Sequence, residues 1–160
     1  MTELPVVDRK ILSILQSEGN LSNVALADRL SMSASPCLRR VKNLEETGLI
    51  NRYVALLDRK KLGFGLVAYV EVKVPQVAGD PVVERFNEAV RLQPAIVACY
   101  VTAGQFDYLL KVVARDMESY ARLVQEVLLK LPGVRDTRST FVMQTIKDTT
   151  ELPLSMLGRD

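Results

Sequence analysis

Residues 66–144 run strand, helix, strand, and then do so again. Leu66–Val74 is rich in β-branched residues, and its second half alternates apolar with charged side chains, so one face there meets water. Pro75 ends that strand. Asp80-Pro81 opens a helix with Val82, Val83, Phe86, Ala89 and Val90 inward and Leu92 as a further candidate for that face, and Pro94 closes the turn after it. Ile96–Val101 is a second strand, Thr102–Asp107 a loop around Gly104, and Tyr108–Ala114 a third strand. Asp116 caps a helix through Lys130 with Met117, Tyr120, Leu123, Val124, Val127 and Leu128 inward. Pro132-Gly133 turns the chain into a fourth strand, Val134–Gln144. The order β-α-β-β-α-β predicts a ferredoxin-like antiparallel sheet with both helices on one face. The other face is left bare and keeps many apolar residues. A symmetric dimer, sheet against sheet, closes it most simply.

Such a fold hosts many functions, so chemistry must come from side chains. The chain has no histidine, which removes His-based acid/base work, His metal ligands and Ser-His-Asp triads. Its two cysteines, Cys37 and Cys99, lack CxxC spacing, so no metal or cofactor is expected and buried free thiols are the plain reading. Free thiols fit a reducing compartment, no signal-peptide pattern stands at the start, and no apolar run is long enough to span a membrane. A cytoplasmic non-enzyme with no membrane partner is expected. In the second half Asp107 is the one acid between Glu88 and Asp116. Such a short acid either hydrogen-bonds its own loop or recognises a polar ligand beside the free N–H groups around Gly104, and the sequence favours neither.

The first 60 residues carry the positive excess: nine Lys/Arg against seven Asp/Glu, while residues 61–160 hold twelve of each. Asp8 caps a first helix to about Glu18, with Ile11, Leu12, Ile14 and Leu15 as its apolar stripe. Gly19-Asn20 stops it. Ser22 opens a second helix, with Val24, Ala27 and Leu30 on one side and Leu26 beside them. Ser31-Met32-Ser33 breaks it, Ser31 standing where a turn glycine is common. A third helix runs from Ser33 to Gly48, capped by Ser33 or Ser35, with Pro36 in its first turn and Gly48 at its stop. Leu38, Val41 and Leu44 face inward. Arg39, Arg40, Lys42 and Asn43 face elsewhere, with no acid between Pro36 and Leu44. Two short helices joined by a short turn make a helix-turn-helix, whose second helix enters the DNA major groove. Arg39, Arg40 and Lys42 are then phosphate and base contacts, Asn43 reads adenine if it points into the groove, and Ser33 and Ser35 bond phosphate or cap. Leu49–Asp58 has the composition of a connecting strand.

These stretches resemble the Lrp/AsnC, or feast/famine, family of transcriptional regulators. The likeness rests on Asp8–Leu12, Leu21–Ala27, Met32–Val41, Leu44–Gly48, Gly104–Val112, Leu131–Val134 and Thr137–Ser139. It covers nearly the whole chain in order. It implies an α+β protein: an N-terminal helix-turn-helix (winged-helix-like) domain, residues 1–50; a linker strand and hinge, 51–65; a ferredoxin-like RAM domain, 66–144, for effector binding and oligomerisation; and a tail, 145–160. It implies double-stranded DNA and a small amino-acid-like effector as partners, and a homo-oligomer of dimers reaching an octamer. By position the effector residues become Thr102, Gly104, Gln105, Asp107, Tyr108, Thr137 and Ser139, with Met117, Leu129 and Phe141 as packed neighbours. The expected function is a sequence-specific regulator whose DNA binding or assembly responds to that effector. The alternative is an architectural DNA-binding protein without a ligand.

Overall fold

A computed structural model describes residues 4–75 and 81–157. The chain forms two compact units: residues 1–56 with 147–160, and residues 57–146.

The first unit holds three helices, α1 (Val6–Ser17), α2 (Asn23–Arg29) and α3 (Ala34–Glu46). Ile11, Leu12, Leu26, Ala27, Cys37 and Leu44 form its buried core. Burying an aliphatic side chain of this size contributes about 1.5–3 kcal/mol, so these few residues carry most of the unit's stability. α1 begins two residues before Asp8, behind Pro5, so Asp8 lies in the first turn rather than capping it. Ser22 does cap α2, its hydroxyl accepting from the amide of Ala25 at 3.2 Å. The turn into α3 puts Ser31 at φ 52°, a left-handed value that costs a residue with a Cβ about 1–2 kcal/mol. Met32 N–H donates back to Ala27 at 3.0 Å and fixes the turn.

Four expectations change here. Ser33 is the N-cap of α3 but makes no side-chain capping bond, and α3 itself starts at Ala34. Leu38 is 43% exposed and Cys37 takes its place in the core. Val24 is likewise 60% exposed, leaving Leu26 and Ala27 to bury α2. Residues 51–58 form no strand. Among the described residues they have no ladder partner, and β composition without a partner does not hold a strand. The stop at Gly48 stands as expected: φ is 73°, and Ile50 N–H donates to Leu44 at 2.9 Å in a Schellman-type closure.

The end of the chain returns to this unit. Gln16 Nε2 donates to the Leu152 carbonyl at 3.2 Å, and Leu152 N–H donates to Gln16 Oε1 at 2.6 Å. Leu154 packs against the helical core.

The second unit is a four-stranded antiparallel sheet in the order β2-β3-β1-β4, with β1 (Leu66–Lys73), β2 (Ile96–Val101), β3 (Tyr108–Ala114) and β4 (Asp136–Phe141). α4 (Pro81–Leu92) and α5 (Met117–Glu126) supply the other layer, and a 3-10 turn at Leu128–Lys130 ends what had been read as one longer helix. Asp80 lies outside the described residues. Asp116 caps α5 by accepting from Ser119 N–H at 2.7 Å. The core is Ala68, Val70 and Val72 from β1, Val74 just beyond it, Leu110 and Val112 from β3, and Phe86, Tyr108, Tyr120 and Leu128. Register places Val70 beside Leu110 on one side and Ser139 on the other, so all three point toward the helices. The opposite face carries Tyr69, Leu109 and Val113, but also Glu71, Lys111 and Arg138. It is mixed rather than uniformly apolar, and Arg138 pairs with Glu71 across it.

Candidate DNA-recognition surface and effector loop

On α3, Ser35, Arg39 and Lys42 are exposed and follow one another at i, i+4 and i+7, which makes a single stripe. Leu38 and Asn43 flank it, also exposed. Behind the stripe Cys37, Val41 and Leu44 seat the helix on the core. α2 is locked to the start of α3 by Asn23, whose Nδ2 donates to the Ala34 carbonyl at 2.8 Å. Burial pushes the Cys37 thiol up, so it stays a neutral packing group. Glu18 pairs with Arg29, through which the carboxyl is held below its usual value, and this ties the end of α1 to α2.

The stripe suits a DNA groove. Arginine presents a rigid fork to a guanine edge, lysine a point charge to phosphate, and an exposed leucine fits a thymine methyl. Leu38 joins this surface although its spacing also fits the core. Of the predicted DNA residues, Ser35, Arg39, Lys42 and Asn43 share the exposed side, and Ser33 lies exposed at the helix entrance. Arg40 does not join them: its Nη1 donates to Asp8 Oδ1 at 2.8 Å.

In the second unit, Thr102, Gly104, Gln105 and Asp107 lie on one surface loop between β2 and β3. Thr102 Oγ1 donates to the Phe106 carbonyl at 3.0 Å, and Lys73 Nζ donates to the Gln105 carbonyl at 3.2 Å. Gly104 sits at φ 145°, a value open to glycine. Asp107 does more than close its own loop: its Oδ2 accepts from Val74 N–H at 2.9 Å and its N–H donates to Val72 at 3.1 Å. It staples the loop to the end of β1. Phe106 is buried, with the Arg138 guanidinium 5.2 Å from its ring centroid.

The other predicted effector residues lie elsewhere. Tyr108 is buried, its ring 4.5 Å from that of Phe86. Thr137 and Ser139 stand on edge strand β4, on the helix side of the sheet, opposite Val72 and Val70. Tyr120 donates to Ser139 Oγ at 2.6 Å and meets Phe141 edge-on. Met117 and Leu129 are exposed, near either end of the second helical stretch. The structure thus gathers Thr102, Gly104, Gln105 and Asp107, and leaves Tyr108, Thr137 and Ser139 around the helix-facing core. A cleft of about 440 Å³ between α4 and β2 reaches Tyr108 and is lined by Asn87, Arg91, Val97 and Cys99. Burial pushes the Cys99 thiol and the Tyr108 phenol up, so both stay neutral and offer no nucleophile. Among the described residues no cluster of His, Cys, Asp and Glu could hold a metal ion, and no helix is long and apolar enough to cross a membrane.

Comparison with known proteins agrees with this division. Residues 6–51 match the family model described as winged helix-turn-helix DNA-binding, and residues 67–152 match the Lrp/AsnC ligand binding domain. The chain is similar to the leucine-responsive regulatory protein of Escherichia coli K12, 44% identical over 150 residues, covering 94% of this chain and 91% of that protein. The same protein of Klebsiella pneumoniae matches to the same extent. Among solved structures, a transcriptional regulator of Neisseria meningitidis in complex with L-Met aligns with TM-score 0.90 and 40% identity, over 94% of this chain and 97% of that one. An AsnC family regulator of Agrobacterium tumefaciens aligns with TM-score 0.88 and 38% identity, over 95% and 98%. With a DNA-binding helix-turn-helix and a ligand-binding sheet domain in that order, this chain belongs to the Lrp/AsnC family of ligand-responsive transcriptional regulators.

Proposed function

We propose that α3 reads its operator through Ser35, Leu38, Arg39, Lys42 and Asn43, with Ser33 and Arg40 on phosphate, and that the 102–108 loop helps to bind an amino acid. The exposed stripe backed by a buried Cys37–Val41–Leu44 face is the observation that carries this reading. The leucine-responsive relatives and the L-Met complex of the Neisseria regulator make leucine and methionine the first effectors to try.

One recognition helix makes a weak, salt-sensitive contact. Repetition in a homo-oligomer, a dimer built into an octamer, raises effective concentration at successive half-sites. Two features support self-association. The sheet leaves Tyr69, Leu109 and Val113 uncovered by helices. Residues 51–58 lie outside any helix or strand and carry Val54, Leu56 and Leu57 at 62–73% exposure. A second copy offers the same chemistry in return. An effector shifts this assembly only if one form binds it better, so its site belongs where copies meet. That arrangement also accounts for a candidate site that the loop of one chain leaves open.

The internal engagement of Asp107 and Ser139 favours a second reading, an architectural DNA-binding protein without a ligand. A thermal-shift screen over the twenty amino acids, paired with a footprint on duplexes selected by the protein, decides between them. A stabilising amino acid that alters the footprint supports the sensor. Binding with no response to any of the twenty supports the architectural protein, and a footprint confined to one half-site removes the oligomeric reading.

A further inference from the structure

Asp8 is the one charged residue that is buried among the described residues. It lies in the first turn of α1, where the helix dipole favours a carboxylate. Its partner is unlike it: the Asp8 side chain is 9% exposed and that of Arg40 is 41% exposed. The acid sits inside while the base reaches the surface of α3. At 100° per residue, Arg40 falls between the buried flank of α3 and the exposed stripe. A guanidinium carries five N–H donors in one rigid plane. Asp8 accepts from Nη1 and so sets the direction of that plane, leaving other donors toward the outside.

We propose that Asp8 is a positioning residue for DNA recognition, holding Arg40 in the pose that presents its remaining N–H groups to a phosphate beside the recognition helix. This rests on the reading of α3 as the groove helix. The consequence has an unexpected sign. Removing an acid near a polyanion ordinarily strengthens binding, because less charge opposes the phosphates. Removing Asp8 weakens it, because Arg40 is then no longer pre-oriented.

The test is an anisotropy titration of the full chain against a duplex that the protein selects from a random library, at several salt concentrations, with melting curves alongside. Asp8→Asn is expected to weaken binding about 5-fold and Arg40→Ala about 10-fold, with the double variant no weaker than Arg40→Ala alone. The salt slope falls by about one in each. Arg40→Lys, which keeps the charge and loses the fork, also weakens binding and decides the matter if Asp8→Asn does not fold. The proposal is overturned if Asp8→Asn binds as tightly as the wild type or more tightly, or if its loss persists in full when Arg40 is already alanine. In the fallback case, full affinity in Arg40→Lys overturns it. Unchanged affinity in a folded Arg40→Ala protein removes the Arg40 contact itself. A weakened Arg40→Ala beside an unaffected Asp8→Asn removes the positioning role alone.

Discussion

The two units treat their polar residues in opposite ways. In the helical unit the candidate DNA residues other than Arg40 point outward, and other side chains do the structural work behind them. In the sheet unit the candidate effector residues are themselves structural: Asp107 ties the loop to β1, and Ser139 receives the Tyr120 hydroxyl. The proposed DNA-reading surface therefore lies on one helix of one chain, whereas the proposed effector surface shares its residues with the scaffold.

This difference can be broken by mutation. The largest effect is expected for Arg39→Ala, a loss of about 1–3 kcal/mol in operator binding with the melting curve unmoved, since Arg39 is exposed and makes no hydrogen bond or ion pair among the described residues. A loss of stability of the same size would place Arg39 among the structural residues. Asp107→Ala gives the mirror image. It leaves Val74 N–H without its acceptor and is expected to cost the sheet unit about 1–3 kcal/mol, besides abolishing any ligand response. A variant that melts like the wild type while losing the response would make Asp107 a pure ligand contact. Gly48→Ala is expected to lower the stability of the helical unit by about 1 kcal/mol. Nothing lies within 4 Å of the added Cβ, so the cost is backbone strain alone, and urea unfolding measures it. Ser31→Gly relieves the same strain in the helix-turn-helix turn and is expected to stabilise by about 0.5 kcal/mol, with operator affinity unchanged. The smallest effect concerns pH. Hydrogen bonds from the Ser119 backbone and side chain hold the Asp116 carboxyl below its ordinary value of 3.8. Its cap on α5 is thus fully present above that value and is lost as pH falls through the lowered one. An acid titration followed by hydrogen exchange at the start of α5 shows the loss, and Asp116→Asn flattens it.

Much of the architecture was legible. Hydrophobic period and proline punctuation located the four strands and the helices between them, because these signals are local. Leu38 was misplaced for a physical reason. Adjacent helix positions differ by only 100°, and an apolar face counted through Leu38 is rotated by one residue from the face that Cys37 buries. Residues 51–58 were read as a strand from composition, but strand formation depends on a partner that composition does not supply. The site in the sheet unit was half legible. The loop and its glycine were visible, yet the Asp107 bond to Val74 spans 33 residues and depends on register. Arg40 was grouped with Arg39 by charge, and nothing local indicated a carboxylate 32 residues upstream.

The return of the tail to α1 bears on how the protein is made. A ribosome delivers the three helices first, at roughly 5–20 residues per second, and domains generally fold as they emerge. Leu154 comes about 100 residues after the linker leaves that unit. For some 5–20 s the helical bundle therefore stands without the segment around Leu152 and Leu154, which lines a groove together with Leu12, Leu15 and Tyr53. The unit that emerges first thus gains one wall of that groove late, and a chain cut before Leu152 lacks both the Gln16 bonds and the Leu154 packing that tie this segment to the helices.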